Sequence, residues 1–476
     1  MKKHAWFTVV FQIPLLFALP LVMGCDSDSP DGKTKRPFYT DIPATQNCLQ
    51  VVDTTLANAD ADLLFNYDHV PVFDIFLPPE KWDALLVNAR NEEYAEVDAC
   101  FEGKAIGKIG LRFKGGKSTL FSCFDENNNL ICPRLSMKMK FSEYEDDKRF
   151  FGLKRLNLQA NRWDASMMRE KLAYDAYREM GIAAPRASWA MVRVNGKSQG
   201  LYGTVEAIDG RFTADRWPSY PDGNLYKEVW PLDYEPTYIT DNLKTNEDEG
   251  NIDDMLSLSG AMVAAISNPA ELQQLVKTHT DLNYWARFLA VGDAIGTCDD
   301  ATIFYEIKEI PGLNHNHNYY FYADSPEHFS IIPWDLDCSF NVLTDNPAPP
   351  PHWTEAQQDC SQYYDYWDGL RIGAPACDPI FAALNSEPTH LQAWRAAAQE
   401  LLNGPFAIQT MLNTIDRHVK FIGREVNTIE TKSAYPVVTF NQDVDYIKSI
   451  IPERHNMLAR RINTTPPPLP GAHEVP

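Results

Sequence analysis

KRLNLQANRWDASMMREKLAYDAYREMGIAAPRASWAMVRVNGKSQGLYGTVEAIDGRF, residues 154–212, decides how this chain folds. Its opening, KRLNLQA, is a short β-like run that alternates polar and apolar positions. Asp164-Ala165-Ser166 then supplies capping residues for an amphipathic helix, SMMREKLAYDAYREMG, which Gly181 stops. SWAMVRVNG and GLYGTVEAID follow as strands joined at Asn195-Gly196, a pair whose tolerance of positive φ suits a tight hairpin. Strand, helix and hairpin therefore succeed one another within sixty residues, which predicts a mixed fold and excludes an all-helical or purely sandwich-like one.

Outward from that stretch the two flanks differ. VPVFDIFLPP, from Val70, alternates and ends in prolines as a first strand would, and Pro79-Glu80-Lys81-Trp82 opens a helix running to about Asn91. Between about 95 and 160 short β-like runs dominate: YAEVDACFEG, KIGLRFKGG and RLSMKMKF. Residues 252–296 and 390–463 are mainly helical in pattern, with IIPWDLDCSF as a strand-like run between them. The expectation is an α+β fold with a β-rich N-terminal half, a helical C-terminal half, and two lobes enclosing a cleft. Residues 25–67 read as a tether and the Pro-rich 464–476 as a disordered tail, leaving 68–463 as the folded domain, divided near 250. No internal repeat and no second spanning segment is visible.

The N-terminus predicts export. Met1-Lys2-Lys3 precedes an apolar run over residues 5–23 that halts at Gly24-Cys25, the layout of a signal peptide over 1–24. Val22-Met23-Gly24-Cys25 resembles a bacterial lipobox, so Cys25 is the expected lipidation site. An uncleaved membrane anchor is the competing reading, but two prolines in the run and the polar stretch after it favour the lipoprotein. A single acylated cysteine would hold the protein on the exported face of a bacterial membrane without spanning it. Of the nine cysteines, eight remain once Cys25 is set aside: Cys48, Cys100, Cys123, Cys132, Cys298, Cys338, Cys360 and Cys377. An even number in an oxidising compartment predicts disulfides, with Cys123 and Cys132 placed to close a small loop. The formal net charge of −22 disfavours nucleic acid as a partner and favours a basic protein.

Four features carry chemistry. GLRFKGGKST, residues 110–119, is a glycine-containing turn after a strand in which backbone N–H groups, Arg112, Lys114 and Lys117 could meet phosphate oxygens; a solvated hairpin loop is the plainer alternative. In RLSMKMKF, Lys138 and Lys140 share one strand face by period two, as on an ordinary edge strand. In IIPWDLDCSF, Asp335 and Asp337 fall on one side of an extended run among apolar neighbours, where paired negative charge is costly without a cation. Hard oxygen donors favour magnesium, manganese or calcium. Upstream, Asp299 and Asp300 follow an apolar helix and Asn318 precedes an aromatic strand. Asp, then Asn, then Asp is the order in which kinase-type sites place a base and two metal ligands. His315 and His317 alternate in a loop without a third ligand to make a zinc site. Asp125, Asn127 and Asn129 alternate as in calcium loops but lack the closing glutamate of an EF-hand.

Taken together, residues 68–463 closely resemble the CotH (spore coat protein H) kinase family. The resemblance lies in the lysine-rich strand, the Leu-Asn-Leu run, the aspartate before a Met-Arg helix, the Asn-Gly hairpin and the Gly-Leu-Tyr strand ending at Glu206. It continues through Gly223-Asn224-Leu225-Tyr226-Lys227, Asn318-Tyr319-Tyr320, Pro333-Trp334-Asp335-Leu336-Asp337 and DYIKSIIPERHNMLARRI. It implies an atypical two-lobed kinase using ATP with Mg2+ or Mn2+, Ca2+ being a further option. Asp299 would be the catalytic aspartate, with Asp300 a competitor. Asn318, Asp335 and Asp337 would hold the metal. Arg112, Lys114, Lys138, Lys140 and Lys227 would contact the nucleotide, with Glu206 orienting a lysine or binding nearby. Two departures stand out: Lys114-Gly115-Gly116 replaces the family's Arg-Gly-Asn, and the segment between Asp299 and Asn318 is lengthened. The expected activity is phosphoryl transfer from ATP to Ser/Thr hydroxyls of an exported protein; the alternative is a surface-binding module that keeps the fold without catalysis.

Overall fold

The computed structural model describes residues 39–42, 54–116, 120–306, 314–341, 351–355, 357, 359–366, 369–426 and 439–463. The expected signal peptide over 1–24, Cys25, Cys48, Lys117 and the expected tail over 464–476 lie outside them. The folded part begins earlier than expected. Helix α1 (Ala61–Phe65) and the 3-10 turn Thr54–Leu56 bury Leu56, Leu64 and Phe65, so residues 54–67 are not a tether. The amphipathic pattern there is only one turn long and too short to stand out in sequence.

Strands β1 (Val72–Phe76), β2 (Ala95–Phe101), β3 (Lys104–Phe113), β4 (Met137–Lys140), β5 (Arg155–Gln159), β6 (Ala187–Val194) and β7 (Lys197–Glu206) close a barrel in the order β1-β2-β3-β4-β5-β7-β6. Closure comes from the parallel pairing of β1 with β6, Val72 opposite Met191; the other pairings are antiparallel. Alternation places Met137 and Met139 inside with Phe73, Phe101 and Phe150, while Lys138 and Lys140 face outward. Helix α2 (Pro79–Val87) leaves β1, and α3 (Arg169–Glu179) lies between β5 and β6, as expected from the opening stretch. Asp164 and Ser166 do act at its start: Asp164 accepts from the Arg169 N–H at 2.8 Å and Ser166 Oγ from the Met168 N–H at 3.2 Å.

After β7 the chain is mainly helical: α4 (Gly210–Arg216), α5 (Pro236–Asp241), α6 (Asp253–Ala265), α7 (Pro269–His279), α8 (Leu282–Ile295), α9 (Pro379–Ser386), α10 (Pro388–Asn403), α11 (Ile408–Val426) and α12 (Phe440–Asn463). A three-stranded sheet of β8 (Leu225–Lys227), β11 (Tyr319–Ser325) and β12 (His328–Pro333) carries the motifs around Lys227, Asn318 and Asp335. Gly223 has no room for a side chain, because a Cβ would collide with the Ala323 carbonyl. Strands β9 (Phe304–Glu306), β10 (Asn314–His315), β13 (Tyr363–Asp365) and β14 (Arg371–Gly373) form a second small sheet. Disulfides join Cys123 to Cys132, Cys298 to Cys338 and Cys360 to Cys377. Among the described residues no helix is long and apolar enough to cross a membrane.

Candidate active site

Lys114 leaves β3 directly into the acidic residues. Its Nζ donates to Gln159 Oε1 at 2.8 Å, and Gln159 Nε2 donates to Glu170 Oε1 at 3.4 Å. The Tyr174 hydroxyl donates to the same Glu170 oxygen at 3.0 Å and accepts from the Asp335 N–H at 3.1 Å. A hydrogen-bonded chain thus runs from the barrel through α3 to Asp335. Glu170 and Tyr174 meet because they stand four apart on one helix face. Lys114 Nζ also sits 5.7 Å from the Trp334 ring centroid.

Asp335 and Asp337 are not in an extended run. β12 ends at Pro333, and Asp335 adopts φ 55°, in the left-handed region. A turn there brings the carboxylates together: burial first, then Asp335 and Glu170, push the Asp337 carboxyl well above its ordinary range. Burial and Asp335 likewise raise Glu170 to about 7, against the opposing pull of Lys114. Burial raises Asp299 to about 6, helped by Asp335 and resisted by His317 and by the Tyr305 hydroxyl that donates to Asp299 Oδ1 at 3.0 Å. Asn318 donates through Nδ2 to the Asp299 carbonyl at 2.8 Å and accepts from the Trp334 N–H at 3.0 Å. It therefore fastens the Asp299 turn to the Asp335 turn. Burial works against the Lys227 charge, but Tyr320, Glu228 and Asp335 outweigh it and raise its pKa. Burial opposes the Glu228 charge too, yet His317, Lys227 and the Asn318 N–H hold that carboxyl down to about 2.

The sequence-predicted residues separate into two groups. Lys114, Lys138, Lys227, Asp299, Asn318, Asp335 and Asp337 share one charged neighbourhood. Four others are committed elsewhere. Glu206 neither orients a lysine nor faces the acidic residues: Arg186 and Arg216 take its carboxylate, at 2.5 Å each. Asp300 is buried, and Thr302 N–H and Oγ1 donate to its Oδ1 at 2.8 and 2.6 Å. Lys140 pairs with Glu143 at 2.6 Å, and the Arg112 guanidinium is held by Glu92. The Asp125 carboxylate is satisfied within its own loop by Asn127 and Asn129. Gln159, Glu170, Tyr174 and Glu228 went unrecognised in sequence; the i,i+4 spacing of Glu170 and Tyr174 was the available signal.

Lys138 lies opposite Arg112 and Asn157 in the barrel and makes no ion pair among the described residues. Burial, with Lys114, Arg112 and Arg155 close by, depresses its pKa to about 7. A cation held among cations is a place for an anion. A base with a depressed folded-state pKa costs most below pH 7, and the cost fades as pH rises toward its unfolded value. Lys138→Met is accordingly expected to stabilise the unliganded protein by about 1–2 kcal/mol at pH 7, a gain that shrinks toward pH 10 in urea titrations.

The Cys298–Cys338 disulfide joins the residue before Asp299 to the residue after Asp337, with Cα atoms 5.6 Å apart across 40 positions. Replacing both cysteines with serine is expected to cost about 2–4 kcal/mol in denaturant unfolding, since the bond closes a long loop in the unfolded chain. Among the described residues no group of three His, Cys, Asp or Glu side chains is gathered closely enough to hold a metal ion outright. The donor chemistry nevertheless fits a divalent cation: Asp335 and Asp337 are hard oxygen donors, and burial first, then the neighbouring carboxylates, raise Asp337 and Glu170.

A family model described as CotH kinase protein matches residues 111–458. The inner spore coat protein H of Bacillus subtilis (strain 168) is 27% identical over 212 residues, 40% of this chain and 52% of that protein. An inner spore coat protein H-like protein of the same organism is 38% identical over 93 residues, 19% of this chain and 30% of the relative. The chain thus spans about half the length of the first curated relative and less of the second. Among solved structures, the Helicobacter pylori proinflammatory kinase CtkA is similar at 10% identity and a TM-score of 0.30, covering 65% of this chain and 90% of that one. The HipA–HipB toxin–antitoxin complex with operator DNA from Shewanella oneidensis MR-1 is similar at 12% identity and a TM-score of 0.25, covering 68% and 64%. At those scores neither likeness bears on activity.

Proposed function

Since this chain belongs to the CotH kinase protein family, we propose that it is an atypical protein kinase, transferring the γ-phosphoryl group of ATP to Ser/Thr hydroxyls of an exported protein. The observation that carries this reading is the continuity of charge from Lys138 and Lys114 into Asp335, Asp337 and Asp299. In it, the barrel forms one lobe and the helical part the other, with ATP between them. Lys138 and Lys114 bind phosphate oxygens, and Lys227 adds positive charge beside Asp335. Asn318, Asp335 and Asp337 would hold Mg2+ or Mn2+, which would neutralise charge on the transferred phosphoryl group when bound. Asp299 accepts the proton of the attacking hydroxyl as its oxygen bonds to the γ-phosphorus and ADP departs. A carboxyl raised to about 6 is a better proton acceptor than an ordinary aspartate and is still ionised at neutral pH.

Export, the Cys25 anchor and a basic substrate belong to the same proposal; the disulfides support an oxidising compartment, and the net charge of −22 supports the choice of partner. The test is to incubate the full chain with γ-labelled ATP, Mg2+ or Mn2+ and a basic Ser-rich protein, and to follow its melting with and without nucleotide. Label on protein, with a metal-dependent rise in melting temperature, supports the kinase. No label and no nucleotide effect with either metal overturns it in favour of a binding module.

A further inference from the structure

A cavity of about 1170 Å3, where α1, α3, α4 and the loops beside β5 meet, has none of Lys114, Lys138, Lys227, Asp299, Asn318, Asp335 and Asp337 in its lining. Its lining is basic on a chain whose net charge is −22. Two of its arginines form the floor: Arg186 and Arg216 converge on the buried Glu206, and Arg186 also binds Asp62 at 2.9 Å. Asp215 is taken by Arg211 at 2.8 Å, and Asp60 accepts the Asp62 N–H at 2.9 Å. The carboxylates of the cavity are therefore already engaged. Three cations on its walls make no close ion pair among the described residues: Arg149, whose Nη1 donates to the Asp146 and Lys148 carbonyls at 2.7 and 2.8 Å, Lys154, which feels Asp209 at longer range, and Arg178, which feels Asp62 and Glu179.

We propose that this groove binds an acidic peptide segment of a partner protein. Several features favour a peptide over a small anion. The volume lies above the range typical of small-ligand pockets. The cations without a close ion pair come from different elements, Arg149 and Lys154 from the segment before β5 and Arg178 from α3. Ile182, Trp217 and Tyr284 add apolar lining for the peptide's other side chains. Guanidinium groups match carboxylates in a planar, two-pronged fashion, so glutamate- and aspartate-rich sequence is the complementary chemistry. The groove would hold such a segment whether or not the chain is a kinase, and its occupant is a partner distinct from the basic substrate proposed above.

The experiment measures fluorescence anisotropy of a labelled Glu/Asp-rich dodecapeptide, and of its Gln/Asn counterpart, on the full chain. Expected are binding of the acidic peptide only, weakening with added salt, and at least a tenfold loss of affinity in Lys154→Glu/Arg178→Glu, with a smaller loss in Lys154→Gln/Arg178→Gln. The melting temperature and its response to ATP with metal should be unchanged in both variants, while Asp299→Asn should leave peptide binding intact. Equal binding of the neutral peptide, full displacement by micromolar ATP or phosphate, or undiminished binding in folded groove variants would overturn the proposal, as would no binding at low salt. Failure of the kinase reading would instead show as loss of the ATP response with peptide binding retained.

Discussion

Asp299→Asn is expected to lower the rate of phosphoryl transfer by about 10²–10⁴-fold, the contribution typical of a positioned general base. The amide keeps the shape of the side chain and still accepts from the Tyr305 hydroxyl, which the carboxylate meets at 3.0 Å, so folding should be preserved. What it loses is the capacity to take a proton. The pH profile separates this role from a structural one. Burial raises the Asp299 carboxyl to about 6; with the ionised form required, the wild-type rate should climb through that region and level off above it, and the residual rate of the variant should lack that limb. Asp335→Ala should abolish transfer with a different signature. Burial beside Asp335 and Glu170 raises the Asp337 carboxyl, so deleting Asp335 relieves repulsion. The melting temperature without metal should stay level or rise, while its response to ATP with Mg2+ or Mn2+ disappears. A variant that melts early would mean that Asp335 serves the fold. Normal transfer in Asp299→Asn would overturn the base assignment.

Local chemistry was readable in the sequence and long-range closure was not. Helix α3, the Asn195-Gly196 hairpin and the Cys123–Cys132 loop depend on residues a few positions apart, so their pattern is complete within one window. Barrel closure needs β1 beside β6, Val72 opposite Met191, and no periodicity encodes a partner that distant. The same distinction explains the site. Asp299, Asn318 and Asp335 stand out in the sequence because a motif order carries them. Glu170 and Tyr174 look like ordinary helix residues until the fold brings Lys114 and Asp335 to either side of them. Glu206 misled because its position at the end of β7 resembles a site residue, while its real partners, Arg186 and Arg216, come from separate segments. Asp335 and Asp337 misled in another way: alternation along a strand holds only while the strand lasts, and β12 stops at Pro333.

Arg169→Ala should produce the largest loss of stability, about 3–5 kcal/mol, the cost of breaking a buried charge network by removing one member. Arg169 is 3% exposed, and its partners Asp164 and Asp443 are 0% and 6% exposed. Its guanidinium binds the Asp443 carboxylate on α12, and the other Asp443 oxygen accepts from the Ser166 N–H at 2.9 Å. The same guanidinium donates through Nη1 to the carbonyls of Ser339 and Phe340, at 2.7 and 2.9 Å, and to Asn341 Oδ1 at 3.0 Å. One side chain thereby joins the start of α3, the last long helix and the turn that follows Asp337. Alanine would leave Asp164 and Asp443 buried without their cation and three acceptors without a donor. Lysine should rescue little, because a single ammonium cannot reach α12 and the 339–341 turn together. Chemical denaturation of the three proteins measures this directly. The functional consequence follows from the same contacts: with the 339–341 turn released, Asp337 and the Cys298–Cys338 disulfide lose their support on one side. Arg169→Lys, if it folds, should therefore bind ATP with metal more weakly than wild type at temperatures well below its melting point. A fully active, equally stable Arg169→Ala protein would show that the packing of α12, and not this charge network, positions the acidic residues.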